Sequence, residues 1–233
     1  MGLTGHILTG GASNQAMTRK HAEPQGLKMS CKEHIAEKCC RQNREKADCS
    51  ALTDVIRFYR KECCSVLEDE LGKFKKVYET KGLEELIRAA ASGKDPKTGR
   101  KMPHQRRSPA DAVLQQWAEV LRRSTAEIDR CRSFEQLHEL LEKKRLKGVG
   151  PLTCYDTAQR IGYALGFPPK ECVYLHAGAQ LPGEKKEIDG HVATSELAKE
   201  LTEAFPAYHI ENLLCIYKNE LASIGSLRKN QQR

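Results

Sequence analysis

The sequence contains no long uninterrupted stretch of apolar residues, which excludes a transmembrane helix. A membrane-spanning helix needs about 20 consecutive apolar residues, whereas this chain is 39% hydrophobic and 30% charged over its 233 residues. Residues 1–30 also lack the apolar segment of a secretory signal. The sequence therefore predicts a flexible polar tail over residues 1–30, no membrane association, and a cytoplasmic or nuclear protein.

The C-x-x-C spacing is missing as well, although cysteine itself is abundant. None of the ten cysteines belongs to a C-x-x-C pair, which excludes the commonest zinc-ribbon and redox motifs. We interpret the cysteines between Cys31 and Cys64 as reduced thiols that pack as small apolar side chains, and we expect neither zinc nor another cofactor there. The alternative is a zinc site, with the ligand set Cys31, His34, Cys39 or Cys40, and Cys49.

Neither alternating strands and helices nor internal repeats occur along the chain. Apolar residues recur instead at helical spacing, as at Leu114, Trp117 and Leu121, and the single tryptophan is predicted to lie in the core. Ser133 followed by Gln136 forms a capping box, which marks the start of another helix. These patterns predict an all-α protein.

Composition divides the chain into four segments. A flexible tail (1–30) is followed by a Cys-rich helical region (31–93), a helical domain (94–225) and a polar tail (226–233). The helices of residues 31–93 are a candidate surface for a protein partner. The motifs that carry chemistry fall in the domain of residues 94–225.

Two local predictions concern the part of this domain after residue 166. Phe167–Lys186 contains three prolines and two glycines, a composition that favours irregular structure. Thr194 or Ser195 is predicted to cap a helix that carries Leu201 and Phe205, because a hydroxyl side chain satisfies the amides at a helix start.

Positive charge exceeds negative charge, and part of the excess is concentrated in one segment. The net charge of +8 favours polyanions such as nucleic acid as partners, because phosphate contacts release condensed counterions. Residues 94–107 carry six basic side chains against one acid, and they read as a loop. The basic residues are Lys94, Lys97, Arg100, Lys101, Arg106 and Arg107. This loop either contacts phosphates, with Arg106 and Arg107 as the candidate contacts, or is a solvated linker.

The most informative segment is the run Gly148-Val149-Gly150-Pro151, which follows a short basic stretch. Two glycines permit a tight turn with positive φ and a close approach of the backbone to another molecule. Val149 is predicted to anchor the turn in the core, and Pro151 suits the first position of a helix. The amides of that first helical turn then form a site for an anion at the positive end of the helix dipole.

The helix that follows this turn is predicted to be amphipathic. Its buried stripe consists of Leu152, Tyr155, Ala158, Ile161 and Leu165. We assign Gln159 and Arg160 to the more polar side, and we expect Asp156 to face Arg160 one turn farther along.

The segment Leu146–Gly162 resembles the helix-hairpin-helix element of the DNA glycosylase superfamily, in which an apolar residue precedes a G-h-G turn and proline or a polar residue opens the next helix. The resemblance implies a helical fold that holds nucleic acid, in first place DNA, by its phosphate backbone. The implied contacts are Lys144, Lys147, Gly148, Val149, Gly150, Leu152 and Thr153. The one cofactor considered is a monovalent cation at the turn.

The residues that perform catalysis in this superfamily are only partly matched. The lyase enzymes carry a lysine two residues after the second glycine, where this chain has Leu152, so the resemblance implies no Schiff-base chemistry. The aspartate of the monofunctional enzymes corresponds to Tyr174, in a V-x-x-H frame that ends at His176. Asp189, followed by Gly190 and His191, resembles the same motif more closely. The candidate catalytic residues are therefore Asp189, His176 and His191; the alternatives are a turn or capping role for Asp189 and a structural role for each histidine.

Three functions remain open at this point. The first, which we favour, is a diverged glycosylase-like protein that binds DNA without a demonstrated reaction. The second is an active monofunctional DNA glycosylase, or another enzyme acting on a nucleotide, that uses Asp189 with His191 or His176. The third is a helical protein-interaction module.

Overall fold

The structure is a computed structural model and describes residues 51–102, 109–176, 179–182 and 190–229. Several predictions lie outside the described residues. They concern the tail of residues 1–30, the cysteines before residue 50, residues 230–233, Arg106, Arg107 and Asp189.

Most of the described chain is helical, as the sequence predicts. The helices are α1 (Leu52–Glu62), α2 (Cys64–Lys81), α3 (Leu83–Ala91), α4 (Asp111–Arg123), α5 (Thr125–Asp129), α6 (Phe134–Lys143), α7 (Pro151–Ala164), α8 (Lys199–Ala204), α9 (Ala207–Ile216) and α10 (Lys218–Ile224), with a 3-10 turn at Thr194–Glu196. Among the described residues, no helix is both long and apolar enough to cross a bilayer.

The apolar side chains form two clusters. The first, which we call the hairpin core, is built by α2 to α7 and includes Trp117, Phe134 and Tyr155. The second, the C-terminal core, is built by α1, α8, α9 and α10 and includes Tyr59 and Leu213. Trp117 is fully buried and its Nε1 donates to Thr157 Oγ1 at 3.4 Å, which confirms its predicted place in the core.

A two-stranded antiparallel sheet lies between the two cores. Strand β1 (Cys172–Leu175) pairs with β2 (Gly190–Ala193), with Cys172 opposite Ala193 and Leu175 opposite Gly190. Successive side chains of a strand point to opposite faces, so Val173 contacts the C-terminal core while Tyr174 contacts the hairpin core. The prediction of irregular structure over Phe167–Lys186 is therefore wrong at residues 172–175, because two cores bury both faces of a short segment that follows the prolines.

One of the two predicted helix caps is confirmed and the other prediction is wrong. Ser133 Oγ accepts the amide of Gln136 at 3.3 Å, as predicted. Neither Thr194 nor Ser195 caps α8, whose N-cap is Ala198 without a side-chain hydrogen bond. The reason is a contact with the C-terminal segment, since the amide of Ala198 donates to Leu227 O at 2.7 Å and holds the chain extended before α8.

Candidate functional site: the glycine turn

Residues 144–150, which we call the glycine turn, connect α6 to α7. The amides of Lys144 and Arg145 donate to carbonyls of the last turn of α6 at 3.1 and 3.2 Å, which prolongs the helix by one tight turn. The amide of Val149 then donates to Leu146 O at 3.0 Å and closes the reversal. The two helices pack against each other on either side of it.

The two glycines of the turn have different backbone conformations. Gly148 has a φ of +94°, a region that L side chains rarely adopt, and an added Cβ would lie 3.4 Å from Val113 Cγ1. Gly150 has an ordinary φ of −77°, and an added Cβ would meet nothing within 4 Å. The fold of the chain therefore requires glycine at 148, whereas at 150 it leaves room for a side chain.

The glycine turn faces solvent, and one buried side chain anchors it to the core. Lys147 and Gly148 are exposed, whereas Val149 is only 3% exposed and belongs to the hairpin core. The predicted anchoring role of Val149 is confirmed. A rigid backbone corner is thus presented at the surface.

Helix α7 begins immediately after this corner. Pro151 occupies the first helical position and Gly150 is the N-cap, with no side chain capping the helix. Cys154 is the first residue of α7 whose amide donates a hydrogen bond, to Gly150 O at 3.0 Å. Within the described ranges, no acceptor is bonded to the amides of Leu152 and Thr153, although Thr153 is itself 7% exposed.

The cations near the turn differ in how they are paired. Lys144 Nζ lies 2.9 Å from Glu127 Oε1, so its charge is largely neutralised within the protein. Arg145 pairs with Glu142 at 2.8 Å and also donates to Val149 O at 3.4 Å. Lys147 is exposed and makes no ion pair with an acid in the described part of the chain. Of the two predicted lysine contacts, Lys147 is the one available to a ligand.

The basic loop, residues 94–101, is an ordered turn. Lys94 and Lys101 form an antiparallel bridge, and Asp95 Oδ1 accepts the amides of Lys97 and Thr98 at 2.8 and 3.0 Å. Burial raises the pKa of Asp95, but hydrogen bonds from Lys73 and from the two amides outweigh it, so that the pKa lies below its usual range.

The basic loop is close to the glycine turn. Lys94 and Lys101 reach Asp111 at the start of α4, at 3.4 and 2.6 Å. Two residues farther along α4, Val113 is the neighbour of Gly148. The start of α4 therefore lies between two surface segments that both expose cations.

The candidate catalytic histidines lie on the sheet. His176 follows β1, is 4% exposed, and packs its ring 4.7 Å from that of Tyr155. His191 is exposed on β2, opposite Tyr174, with the two rings 5.9 Å apart. Burial raises the pKa of Tyr174 above its usual value, so the phenol is neutral and supplies no anionic charge.

The polar side of α7 is buried, contrary to the sequence prediction. Arg160 and Gln159 are 2% and 7% exposed because α2 and α3 cover this side of the helix. The Arg160 guanidinium donates to Ala90 O at 3.3 Å and stacks over the Phe74 ring at 5.3 Å. The predicted pairing of Asp156 with Arg160 is confirmed at 3.9 Å.

A polar network that the sequence did not predict surrounds Glu68 of α2. Its carboxylate accepts Tyr163 Oη at 2.5 Å, Tyr208 Oη at 2.8 Å and His209 Nε2 at 2.7 Å. Burial raises the pKa of Glu68, but these three bonds outweigh it and the pKa is lowered. No spacing pattern reveals the network, because its donors lie 95 to 141 residues away in sequence.

Glu68 determines where His209 carries its proton. An ionised carboxylate can only accept, so the neutral ring carries its proton on Nε2 and its Nδ1 accepts the Tyr59 hydroxyl at 2.9 Å. Asn212 Nδ2 in turn donates to Tyr59 Oη at 2.9 Å. Because Tyr59 is fully buried, this chain of bonds links helices rather than exposing a reactive group.

No protein-family model, curated protein or solved structure matches the chain. The site itself is therefore the basis for assigning a function.

Proposed function

We propose that the protein binds nucleic acid, in first place DNA, by placing a backbone phosphate against the glycine turn and the first turn of α7. The observation that carries this proposal is the pair of glycines. Gly148 is required by its positive φ, whereas nothing in the fold requires the absence of a side chain at Gly150. The open backbone at Gly150 suits a molecule that approaches it closely from outside.

The start of α7 provides the attraction for a phosphate. Amides at a helix start carry partial positive charge and point along the helix axis toward solvent. The amides of Leu152 and Thr153 have no bonded acceptor among the described residues, and Lys147 is exposed beside them. A phosphate oxygen at this position accepts amide hydrogen bonds and neutralises Lys147.

The basic loop extends the surface that we propose contacts the backbone. Lys97 and Arg100 are exposed on a turn that Asp95 holds in shape. The loop that carries them lies across the start of α4 from Gly148, because its Lys101 binds Asp111 and Val113 neighbours Gly148. Lys144 is left out of this proposal because its charge is paired with Glu127.

The proposal is confined to binding. Leu152 carries no amine, and Asp189 lies outside the described residues. A glycosylase-like reaction through Asp189 and His191 stays a prediction, and so does a protein partner for the N-terminal helices.

The experiment compares two glycine-to-aspartate variants in DNA binding. Gly150→Asp places a carboxylate where the phosphate binds, whereas Gly72→Asp on α2 makes the same chemical change at another position where an added Cβ meets nothing within 4 Å. Binding to a labelled duplex is measured by fluorescence anisotropy across a salt series, with RNA of the same sequence in parallel. Circular dichroism verifies that both variants are folded.

We expect Gly150→Asp to weaken DNA binding by about tenfold or more, since a hydrogen bond to a charged group contributes about 1.5–3 kcal/mol, and Gly72→Asp to bind like the wild type. Wild-type binding should weaken steeply with added salt. Equal binding by the two variants, or no binding by the wild type, rejects the proposal. Tighter binding to RNA than to DNA retains the phosphate site and changes the partner.

A further inference from the structure

Three side chains of the types that ligate metals meet where α6 packs on α7, next to the glycine turn. His138 and Glu142 lie one helical turn apart on α6, and Cys154 lies in the first turns of α7. The ligand atoms of the imidazole, the carboxylate and the thiol all lie within 4.8 Å of one another. None of the three belongs to the proposed phosphate site.

The imidazole of His138 is held in place but incompletely bonded. Its ring stacks on Phe134 with centroids 5.8 Å apart and meets the edge of Tyr174 at 4.8 Å. Its Nε2 is buried and has no hydrogen-bond partner among the described residues. Buried polar atoms are nearly always bonded, so an unpartnered nitrogen that faces a thiol and a carboxylate points to a ligand.

The carboxylate of Glu142 is oriented by a neighbour in the way that metal ligands usually are. Arg145 Nε binds Glu142 Oε2 at 2.8 Å, Oε1 lies 3.9 Å from His138 Nε2, and the Cys154 thiol interacts with the same carboxylate. A hydrogen bond from outside to a ligating carboxylate is a common feature of metal sites. Arg145 also donates to Val149 O, so the same side chain ties this site to the glycine turn.

We propose that His138, Glu142 and Cys154 bind a zinc ion, which fastens α6 to α7. A thiolate, an imidazole and a carboxylate are typical zinc ligands, with bonds of about 2.0–2.3 Å that place ligand atoms about 3.5 Å apart. Small side-chain rotations close the gap from the observed spacing. The Cys154 thiol gives its proton to solvent on binding, and the ion with one thiolate and one carboxylate is then electrically neutral.

The fourth ligand is water. The side chain of Glu142 is 29% exposed and offers a path for the ion and the water, whereas His138 Nε2 and Cys154 are buried. The inference is independent of phosphate binding. It also differs from the zinc site considered from the sequence, which used cysteines before residue 50.

The experiment uses the full chain with the N-terminal cysteines replaced by serine, so that they do not bind the probe. The replaced residues are Cys31, Cys39, Cys40 and Cys49. Zinc affinity is measured by competition with a chromogenic chelator, and cobalt is added as a spectroscopic probe because thiolate ligation produces a charge-transfer band. The test variants are Cys154→Ser and His138→Gln, and Cys131→Ser is the control, since Cys131 is a buried thiol of the same core.

We expect one equivalent of zinc in the parent and in Cys131→Ser, with a thiolate–cobalt band. Cys154→Ser should lose the band, and both test variants should bind zinc about 100-fold more weakly, because even outer contacts of metal sites contribute 10–100-fold. Absence of zinc binding by the parent, or equal affinity in the parent and a folded test variant, overturns the inference. His138→Gln decides the matter if Cys154→Ser does not fold.

Discussion

Gly148 and Gly150 are two residues apart, yet their backbones place different demands on the side chain. A residue with a Cβ adopts the positive φ of Gly148 only at a cost of about 1–2 kcal/mol, and Val113 lies close to the position that this Cβ would occupy. The ordinary φ of Gly150 imposes no such cost. Stability and binding are therefore separable within one turn.

Substitution of each glycine by alanine tests this separation. We expect Gly148→Ala to lower the free energy of unfolding by about 1–2 kcal/mol, because the left-handed conformation disfavours a Cβ. We expect Gly150→Ala to change it by less than about 1 kcal/mol, because a lower entropy of the unfolded chain offsets a poorer N-cap. Urea unfolding measures both, and equal destabilisation by the two variants contradicts the assigned backbone roles.

Glu211 is a residue whose burial makes stability depend on pH. Burial and the nearby Asp156 raise its pKa from 4.5 to about 8, so the folded protein binds a proton that the unfolded chain has released between these two values. The group therefore favours folding below about pH 4.5, and this contribution is lost as the pH rises toward 8.

Glu211→Gln removes this titration while keeping a neutral side chain of similar shape. The stability of the variant relative to the wild type should increase with pH between about 4.5 and 8, by up to about 1.4 kcal/mol per unit. Urea unfolding of both proteins across this range gives the difference directly. A difference that does not change with pH shows that Glu211 is not protonated in the folded state.

At the scale of elements, α7 is the helix that joins the hairpin core to the polar network around Glu68. Its first residues form the candidate site, Arg160 joins it to α2 and α3, and Tyr163 joins it to Glu68. A helix covered on several sides cannot shift without breaking these contacts. The position of the glycine turn is thereby fixed by the rest of the fold.

Arg160→Ala should destabilise the protein strongly, by about 3 kcal/mol, because it removes the contacts of a buried guanidinium with Ala90 O, Glu70 and Asp156 and its packing on Phe74. The matched control is Arg123→Ala on α4, whose side chain is 74% exposed and pairs with Glu119. An exposed pair contributes less than about 1 kcal/mol. Thermal unfolding compares the two, and a similar small loss from both variants contradicts the role of Arg160.

Substitution of Glu68, which also joins helices, should lower stability less than substitution of Arg160. Glu68→Gln places an amide donor where Tyr163, Tyr208 and His209 all donate, so we expect a loss of about 1–2 kcal/mol. Asp69→Asn, on the exposed neighbour, should be nearly neutral. Chemical denaturation compares the stabilities of the two variants. If they are equal, Glu68 does not accept the three hydrogen bonds assigned to it.

The elements differ in how well local sequence predicts them. The start of α6 follows from Ser133 and Gln136, and the turn follows from Gly148 and Pro151, because these depend on neighbours in sequence. Strand β1 and the buried side of α7 were predicted wrongly, because distant elements cover them. The Glu68 network and the meeting of His138 with Cys154 depend in the same way on tertiary packing.

At the scale of the whole molecule, the net charge of +8 is a poor guide to the surface. Many cations are neutralised locally, as Arg122 is by Glu84 and Glu119. The part of the charge that matters for the proposed function is the small set around the glycine turn and the basic loop. Composition predicts the class of partner, and only the folded arrangement identifies the surface that meets it.

The measurement that tests the central claim most directly is the amide spectrum of the isotope-labelled protein during titration with duplex DNA. We predict that the amides of Gly148, Gly150, Leu152 and Thr153 shift most, and that added salt reverses these shifts together with binding. Saturable DNA binding that leaves these four amides unchanged while others shift would contradict the account.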